Sequence, residues 1–354
     1  MWKFLTSGVM KRIFAFAAVA AMIMGIGACQ KEGPIGGRGQ ECVTSFTVQL
    51  PQEQTKTVSK AENVDVVYFE IWNAAFDKIL ASGERVITGG VLKENFSLVK
   101  DQRYNFIFWA QKKAVENGFK SPYSWDNLKD VKVDYGLFTE NNKDCYDAFY
   151  AVKDIVADGK SKSVDLYRPF AQLNFGASTM VTSVGEFTVE KNVVTVTSVS
   201  KSFNTVSGKA SSTDVASVRF EATSGGLVQE ETSDSKDLKV ADKSYYWVSM
   251  NYLLVAAGYE DNVEVVAQFY TTGGLVEHSI SSVPVQKNFR TNIVGDIFTN
   301  TSEFTIKVVP DFLTPDKEVS LNKLKFYIMR RFISFVAAVA LMPCILPSTP
   351  PANS

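Results

Sequence analysis

The chain has 354 residues, 45% hydrophobic and 21% charged, with a formal net charge of −1. That apolar share is typical of a globular protein, and without a basic excess the chain is a poor partner for a polyanion, which excludes nucleic-acid binding. A single histidine, His278, leaves little room for the metal and nucleophilic chemistries that recruit imidazole as ligand or base.

Residues 10–29 read as a bacterial lipoprotein export signal. Lys11 and Arg12 form a cationic start, and 13–26 is an apolar stretch shorter than the roughly 20 residues that span a bilayer. It ends in Ile26-Gly27-Ala28-Cys29, where small residues fit an extended chain into a peptidase cleft and leave a thiol at the new N-terminus. This lipobox predicts a signal peptide over 1–28, with Met10 able to serve as the start, and acylation of Cys29. A short membrane anchor ending in a chance cysteine is the competing reading. Each buried methylene contributes about 0.8 kcal/mol, so two or three acyl chains hold a protein to a lipid leaflet almost permanently. Residues 29–42 then pass through Gly33, Gly36, Gly37 and Gly39, which predicts a flexible tether. Of the other cysteines, Cys42, Cys145 and Cys344 form an odd set in an oxidising compartment, and a bridge between Cys42 and Cys145 stays open either way.

Residues 43–51 place Phe46, Val48 and Leu50 on one face and Ser45, Thr47 and Gln49 on the other, the period of two of a half-buried strand. Stretches 64–72, 103–110 and 131–135 are rich in β-branched and aromatic residues. In the second, Phe106 and Phe108 interleave with Ile107 and Trp109, which predicts a strand covered on both faces. Thr88-Gly89-Gly90-Val91 supplies turn glycines between 84–87 and 92–99, a hairpin signal. Residues 141–151 lack alternation and predict a loop or short helix.

A second set of strands follows at 164–175, 186–189, 193–199, 215–222, 245–255, 263–271, 276–285 and 303–309. Val263, Val265, Ala267 and Phe269 share a face, and Thr271-Thr272-Gly273-Gly274 then turns the chain. Strands joined by short turns, with scarcely a crossover helix, predict an all-β chain of antiparallel sandwiches rather than a parallel sheet. Just over 320 of the 354 residues remain after the signal, enough for two domains of the usual ~100–200 residues. They are placed at 43–162 and 163–313, divided after Gly159-Lys160-Ser161-Lys162. Residues 314–354 break the pattern. Thr314-Pro315-Asp316 ends the last strand, and Met329-Arg330-Arg331 precedes an apolar run over 332–346 that resembles a second signal sequence, as if the reading frame continued into a neighbouring gene starting at Met329.

Six stretches, 106–111 (FIFWAQ), 147–151 (DAFYA), 168–176 (RPFAQLNFG), 248–255 (VSMNYLLV), 283–295 (VPVQKNFRTNIVG) and 304–312 (FTIKVVPDF), together resemble a Bacteroidales fimbrillin-like lipoprotein family, a domain of unknown function related to major and minor fimbrial subunits. They span most of the mature chain, and 168–176 and 283–295 are the specific ones. The resemblance implies two tandem transthyretin-like antiparallel β-sandwich domains, display on the outer membrane, and a role as pilus subunit, pilus anchor or adhesin. It implies no known ligand. In polymerising members of that family, cleavage at an arginine after the first strand opens a groove that accepts a strand from the next subunit, a β-strand addition. The arginines available here are Arg38, ahead of the first predicted strand, and Arg85, in a turn beyond the second. Cutting at Arg38 would release the chain from its lipid without opening a groove, so an anchored subunit or adhesin fits better.

The same stretches have a plain reading. Arg168-Pro169 fixes the entry of a strand, because proline locks its own φ and keeps the preceding residue extended. The polar side chains of 285–292 suit a strand-to-turn scaffold or a partner contact, with scaffold favoured. His278, alternating with apolar neighbours, reads as a solvent-facing strand residue rather than a catalytic base. Glu230-Glu231 and Glu260-Asp261 read as solvated turns rather than the spaced acids of glycoside hydrolysis. Asp311 and Asp316 fall short of a calcium site, and the glycines of 33–39 lack the context of a phosphate loop. No catalysis, cofactor or metal is expected. Tyr123 and Trp125, in 121–126 (SPYSWD), are the binding candidates, since exposed rings stack on sugars or anchor a partner. The alternative is that they fold back as a small core under a long loop.

The resulting expectation is a surface-exposed outer-membrane lipoprotein acting as fimbrial subunit, anchor or adhesin. Its partners are membrane lipid through acylated Cys29, other fimbrial subunits by strand addition, and a host or bacterial surface ligand. The alternative is a surface glycan-binding lipoprotein beside a nutrient importer, using rings such as Trp125.

Overall fold

A computed structural model of the chain describes residues 33–51, 63–138, 144–182, 185–186, 188–223, 228, 236, 238–256, 260–298, 304–309 and 319–320. The expected signal peptide, Cys29, Glu230, Glu231, Asp311, Asp316, Met329 and Cys344 lie outside the described residues.

The first half contains β1 (Glu41–Gln49), β2 (Val66–Trp72), β3 (Ile79–Val86), β4 (Val91–Val99) and β5 (Arg103–Gln111). It continues with β6 (Tyr123–Ser124), β7 (Asp130–Val133), β8 (Ala148–Val156) and β9 (Lys162–Asp165). The alternation in β1 does what its period requires: Phe46 and Val48 are buried while Ser45, Thr47 and Gln49 stay partly open. β1 lies between β4, antiparallel from Glu41 opposite Val99 to Gln49 opposite Val91, and β9, parallel from Phe46 opposite Lys162. The facing sheet runs β3-β2-β5-β8, antiparallel throughout. Between them, the Phe46 ring sits 4.5 Å from Phe106 and meets Phe96 edge-on at 5.5 Å, the arrangement that aromatic quadrupoles favour.

β5 is covered on both faces, as its sequence predicts. Phe106 and Phe108 enter this first core, while Ile107 and Trp109 point the other way into a second one.

Three expectations change in this half. Gly89 and Gly90, both at positive φ (59° and 74°), turn the chain without making a hairpin. β3 pairs with β2 and β4 with β1, so the turn carries the chain from one sheet to the other. The stretch expected to be a tether through residue 42 is already attached at Ile35, whose backbone N–H donates to the Ser97 carbonyl at 2.8 Å and whose carbonyl accepts from the Tyr104 hydroxyl at 2.6 Å. Gly36 is needed there, because its φ is 108° and a Cβ would collide with that hydroxyl. Of residues 141–151, the described ones from 144 on form a 3-10 turn (Asp144–Tyr146) and the start of β8, which lacks alternation because Ala148 and Phe149 are buried toward different cores.

The second half contains β10 (Ala171–Ala177), β11 (Val181–Thr182), β12 (Gly185–Glu186), β13 (Val189–Ser200), β14 (Ser202–Asn204), β15 (Lys209–Ala210) and β16 (Val215–Ala222). β17 (Leu238–Val240), β18 (Lys243–Val255), β19 (Glu260–Thr271), β20 (Gly274–Gln286), β21 (Arg290–Gly295), β22 (Phe304–Val309) and β23 (Val319–Ser320) follow. β13, β16, β19 and β20 form one layer, and β17, β18, β10, β21 and β22 the other. The layers join at a corner where Val199 and Ser200 pair with Val255 and Leu254. They close face to face, with Phe175 and Phe269 at 5.6 Å. β19 and β20 form the hairpin that the Gly273-Gly274 signal predicts.

The single strand expected over 164–175 is two strands in different sandwiches. Val164 and Leu166 are buried in the first core and β10 in the second, so a boundary at 163 falls inside β9. Hydrophobicity continues through the crossing, which hides the break.

Between β5 and β8 the chain leaves the first sandwich and lies over the outer face of its β2-β5-β8 sheet. Leu128, Val131, Tyr135, Phe138 and Tyr146 all bury in the second core, and β7 pairs with β14. The outer face of a first-half sheet and the second half therefore share one continuous core. Among the described residues no helix is long and apolar enough to cross a membrane.

Candidate functional site

The crossing from β9 to β10 passes through the junction of the two halves. Leu166 and Arg168 are each only 1% exposed, and Pro169 fixes the turn into β10. Arg168 grips Asp147 with two parallel bonds, Nε to Oδ1 at 2.8 Å and Nη2 to Oδ2 at 2.6 Å, the strong bidentate form of the pair. Its guanidinium also lies 4.7 Å from the centre of the Phe149 ring. Burial pushes the Asp147 carboxyl above the usual carboxylate range, while Arg168 and, more weakly, Arg290 draw it back. Further along β10, Asn174 Nδ2 donates to Gln172 Oε1 at 3.1 Å and to Asn292 Oδ1 at 2.8 Å, a buried amide row linking β10 to β21. Stretches 147–151 and 168–176 are thus joined by the ion pair, and 168–176 and 283–295 by the Asn174–Asn292 bond and by backbone bonds from Asn288 N–H to the Phe170 carbonyl and from Gln172 N–H to the Phe289 carbonyl.

Above the ion pair lies a surface. Tyr150 and Tyr167 exchange backbone bonds, each N–H donating to the other's carbonyl at 2.9 Å, and such directly opposed residues put their side chains on the same face. Tyr150 is half-buried and meets Phe203 edge-on at 4.7 Å, whereas Tyr167 is 59% exposed. Lys287, in the turn between β20 and β21, donates from Nζ to the Gly208 carbonyl at 2.7 Å and to the Tyr150 hydroxyl at 3.4 Å. Burial lowers the pKa of its ammonium. Gly208 has φ of 65°, and a Cβ there would lie 2.8 Å from the Tyr150 oxygen, so only glycine allows the two groups to approach.

The predicted binding residues lie elsewhere. Tyr123 is a core residue, 7% exposed, with its ring 5.4 Å from Trp109 and its hydroxyl bonded to the Tyr146 carbonyl. It offers no platform to a ligand, because the segment that carries it is pressed onto the outer face of the β2-β5-β8 sheet. Trp125 is half-buried and meets Tyr68 at 5.0 Å. A few residues on, Lys129 lies 3.8 Å from the Trp72 ring centre and 4.3 Å from that of Phe76, and bonds to the Phe76 carbonyl. The far side of this clip holds the second half, since the Thr205 N–H donates to the Lys129 carbonyl at 2.8 Å.

Glu70 sits beneath the clip and accepts from Trp72 Nε1 at 3.0 Å. Its pKa is raised by burial, against the opposing Leu128 N–H, Trp72 and Lys129. A carboxyl held high in the fold binds its proton more tightly there than in the unfolded chain. Its contribution is therefore fully present below the ordinary glutamate range and is lost as pH rises through the folded value. Urea unfolding of Glu70→Gln, which keeps an acceptor for Trp72, is expected to gain stability relative to the parent as pH rises from the ordinary glutamate range toward neutrality; the opposite slope would contradict this account.

Other expectations are corrected. Arg85 lies within β3, ion-paired to Glu94 at 2.9 Å, because the strand runs on past the assumed turn. His278 is 8% exposed rather than solvent-facing: residues beyond β21 fold over it, with Nε2 against the Ile297 carbonyl and the Phe304 ring at 5.3 Å. The bridge between Cys42 and Cys145 that the sequence leaves open is not formed, since Cys145 is buried in the second core and Cys42 lies on β1 in the first sandwich. Arg38 is exposed in the bend between Ile35 and β1. Among the described residues no three His, Cys, Asp or Glu side chains gather as metal ligands.

A family model described as a family of unknown function, DUF6562, matches residues 36–328. The chain belongs to this family. The DUF6562 match takes in the whole junction and ends one residue before Met329. No curated protein matches the chain. Solved structures similar to this DUF6562 chain include a candidate polysaccharide-binding protein from Bacteroides thetaiotaomicron, at 14% identity and a TM-score of 0.44 over 79% of this chain and 99% of that one. A fimbrial assembly protein from Parabacteroides distasonis matches at 11% identity and 0.40 over 78% and 100%. The tip fimbrial protein Mfa3 of Porphyromonas gingivalis matches at 11% and 0.39 over 76% and 98%. Likeness at these scores assigns neither ligand nor role to this DUF6562 chain.

Proposed function

We propose that the chain is a lipid-anchored, surface-displayed and non-catalytic protein of the outer membrane, acting as a fimbrial subunit, anchor or adhesin. The observation that carries this reading is the Ile26-Gly27-Ala28-Cys29 lipobox, followed after only a few residues by Ile35, already bonded to β4. An acylated Cys29 would hold an all-β body close to the membrane. The resemblance of 168–176 and 283–295 to fimbrillin-like lipoproteins supports the adhesive or fimbrial role. Processing at Arg38 would part the body from its anchor and undo the Ile35 bonds, yet leave β1 between β4 and β9. Release therefore fits that cut better than polymerisation by strand addition does.

The test compares wild-type and Cys29→Ser cells. Wild-type protein is expected to incorporate an alkynyl fatty acid, fractionate with the outer membrane and be digested by protease added to intact cells, whereas Cys29→Ser loses the label and the membrane. A Cys29→Ser chain that stays labelled and membrane-bound would sink the anchoring. Negative-stain microscopy with antibody then separates filaments from a diffuse adhesive coat.

A further inference from the structure

We propose that Tyr167, Tyr150 and Lys287 form a binding site for an acidic saccharide. Among the described residues Tyr167 is the one aromatic side chain in the set of exposed large apolar groups. It is held on an unusually firm backbone: both neighbours, Leu166 and Arg168, are 1% exposed, its own N–H and carbonyl are bonded to Tyr150, and Arg168 is clamped by Asp147. A ring presented this way loses little freedom when something stacks on it.

What lies beside the ring selects the ligand. The Tyr150 hydroxyl and the Lys287 ammonium are 3.4 Å apart and the exposed Lys209 follows Gly208, which brings two cationic side chains to this edge, while the nearby carboxylate of Asp165 is bonded to the Gln49 amide. A pyranose could lay its C–H face on Tyr167, offer hydroxyls to Tyr150 and set a carboxylate against Lys287, whose charge is partly withdrawn from water and so acts more strongly at short range. An extended peptide is disfavoured, because Tyr150 and Tyr167 already pair with each other and leave no free backbone for strand addition at this point.

This inference deepens the adhesin reading and rests on it for its cellular setting, but the binding is measured on purified protein. A chain that binds yet proves unanchored would therefore overturn the anchoring alone. The experiment is calorimetric titration of the full chain in detergent with tetragalacturonate, 3′-sialyllactose and neutral cellotetraose. At least one acidic probe is expected to bind, with cellotetraose at least about tenfold weaker. Tyr167→Ala should lose at least about tenfold with an unchanged melting temperature, and Lys287→Met should abolish the preference for acid while Lys287→Arg retains it. Failure of both acidic probes, equal binding of the neutral one, or full binding by Tyr167→Ala would overturn the site.

Discussion

Asp147→Ala is expected to cost about 3–5 kcal/mol, because it leaves the Arg168 guanidinium buried without its carboxylate. For a folded body of this size that is a fall of about 6–20 °C in melting temperature, at about 2–4 °C per kcal/mol. The loss comes from stranding a charge, not from deleting a favourable contact. The ion pair itself contributes far less than this figure, since burying both groups already costs most of what their attraction returns. Replacing both partners by apolar residues of similar bulk, Asp147→Leu with Arg168→Met, is therefore expected to be milder than Asp147→Ala alone. Thermal unfolding of the parent and the two variants decides the matter. A double variant worse than the single one would mean that the pair specifies the junction in a way apolar packing cannot replace.

Phe106→Ala carries the second large effect. The ring sits among Phe46, Phe96 and Phe108 in the first core, and truncating a fully buried phenylalanine costs about 3–5 kcal/mol. The informative quantity is the shape of the transition. Phe106 and Phe108 face one core, but Ile107 and Trp109 on the same strand belong to the core shared with the second half. Damage to β5 should therefore be felt on both sides, and calorimetry is expected to show one peak moving to lower temperature. Two separated peaks would show instead that the halves melt independently, as the two-domain expectation from length implies.

Much of the architecture can be read from alternation alone. Residues 43–51 form a half-buried strand, the two-sided pattern at 103–110 reappears as β5 between two cores, and the glycines after Thr272 close the β19–β20 hairpin. A period of two states that a strand exists and which of its faces is apolar; it does not state which strand lies beside it. For that reason the Gly89-Gly90 turn looked like a hairpin, and the crossing at 166–170 was hidden inside one apparent strand. Covered outer faces cause the remaining differences. His278 alternates like a solvent-facing residue and is buried only because distant residues, Ile297 and Phe304, close over it. Tyr123 sits in a loop-like stretch yet is fixed by Trp109 and Tyr146.

The candidate site was least legible. Asp147 and Arg168 stand 21 positions apart with no spacing rule joining them. Tyr167 beside Arg168-Pro169 gave no sign of being the exposed member of a buried run. The one available hint was that 147–151, 168–176 and 283–295 all carried the same resemblance, and these are the stretches that converge.

The position of β1 has a mechanical consequence. A force applied through the residues ahead of Glu41 would run along the axis of that strand, which is flanked on both sides. Bonds to β4 lie crosswise to such a pull along all nine residues of β1, and the four residues of β9 add a parallel rail. Loaded in shear, these bonds must yield together, whereas a strand peeled from an end gives them up one by one. A body held in flowing fluid by its leading end would thus take the strain on one of its best-braced seams.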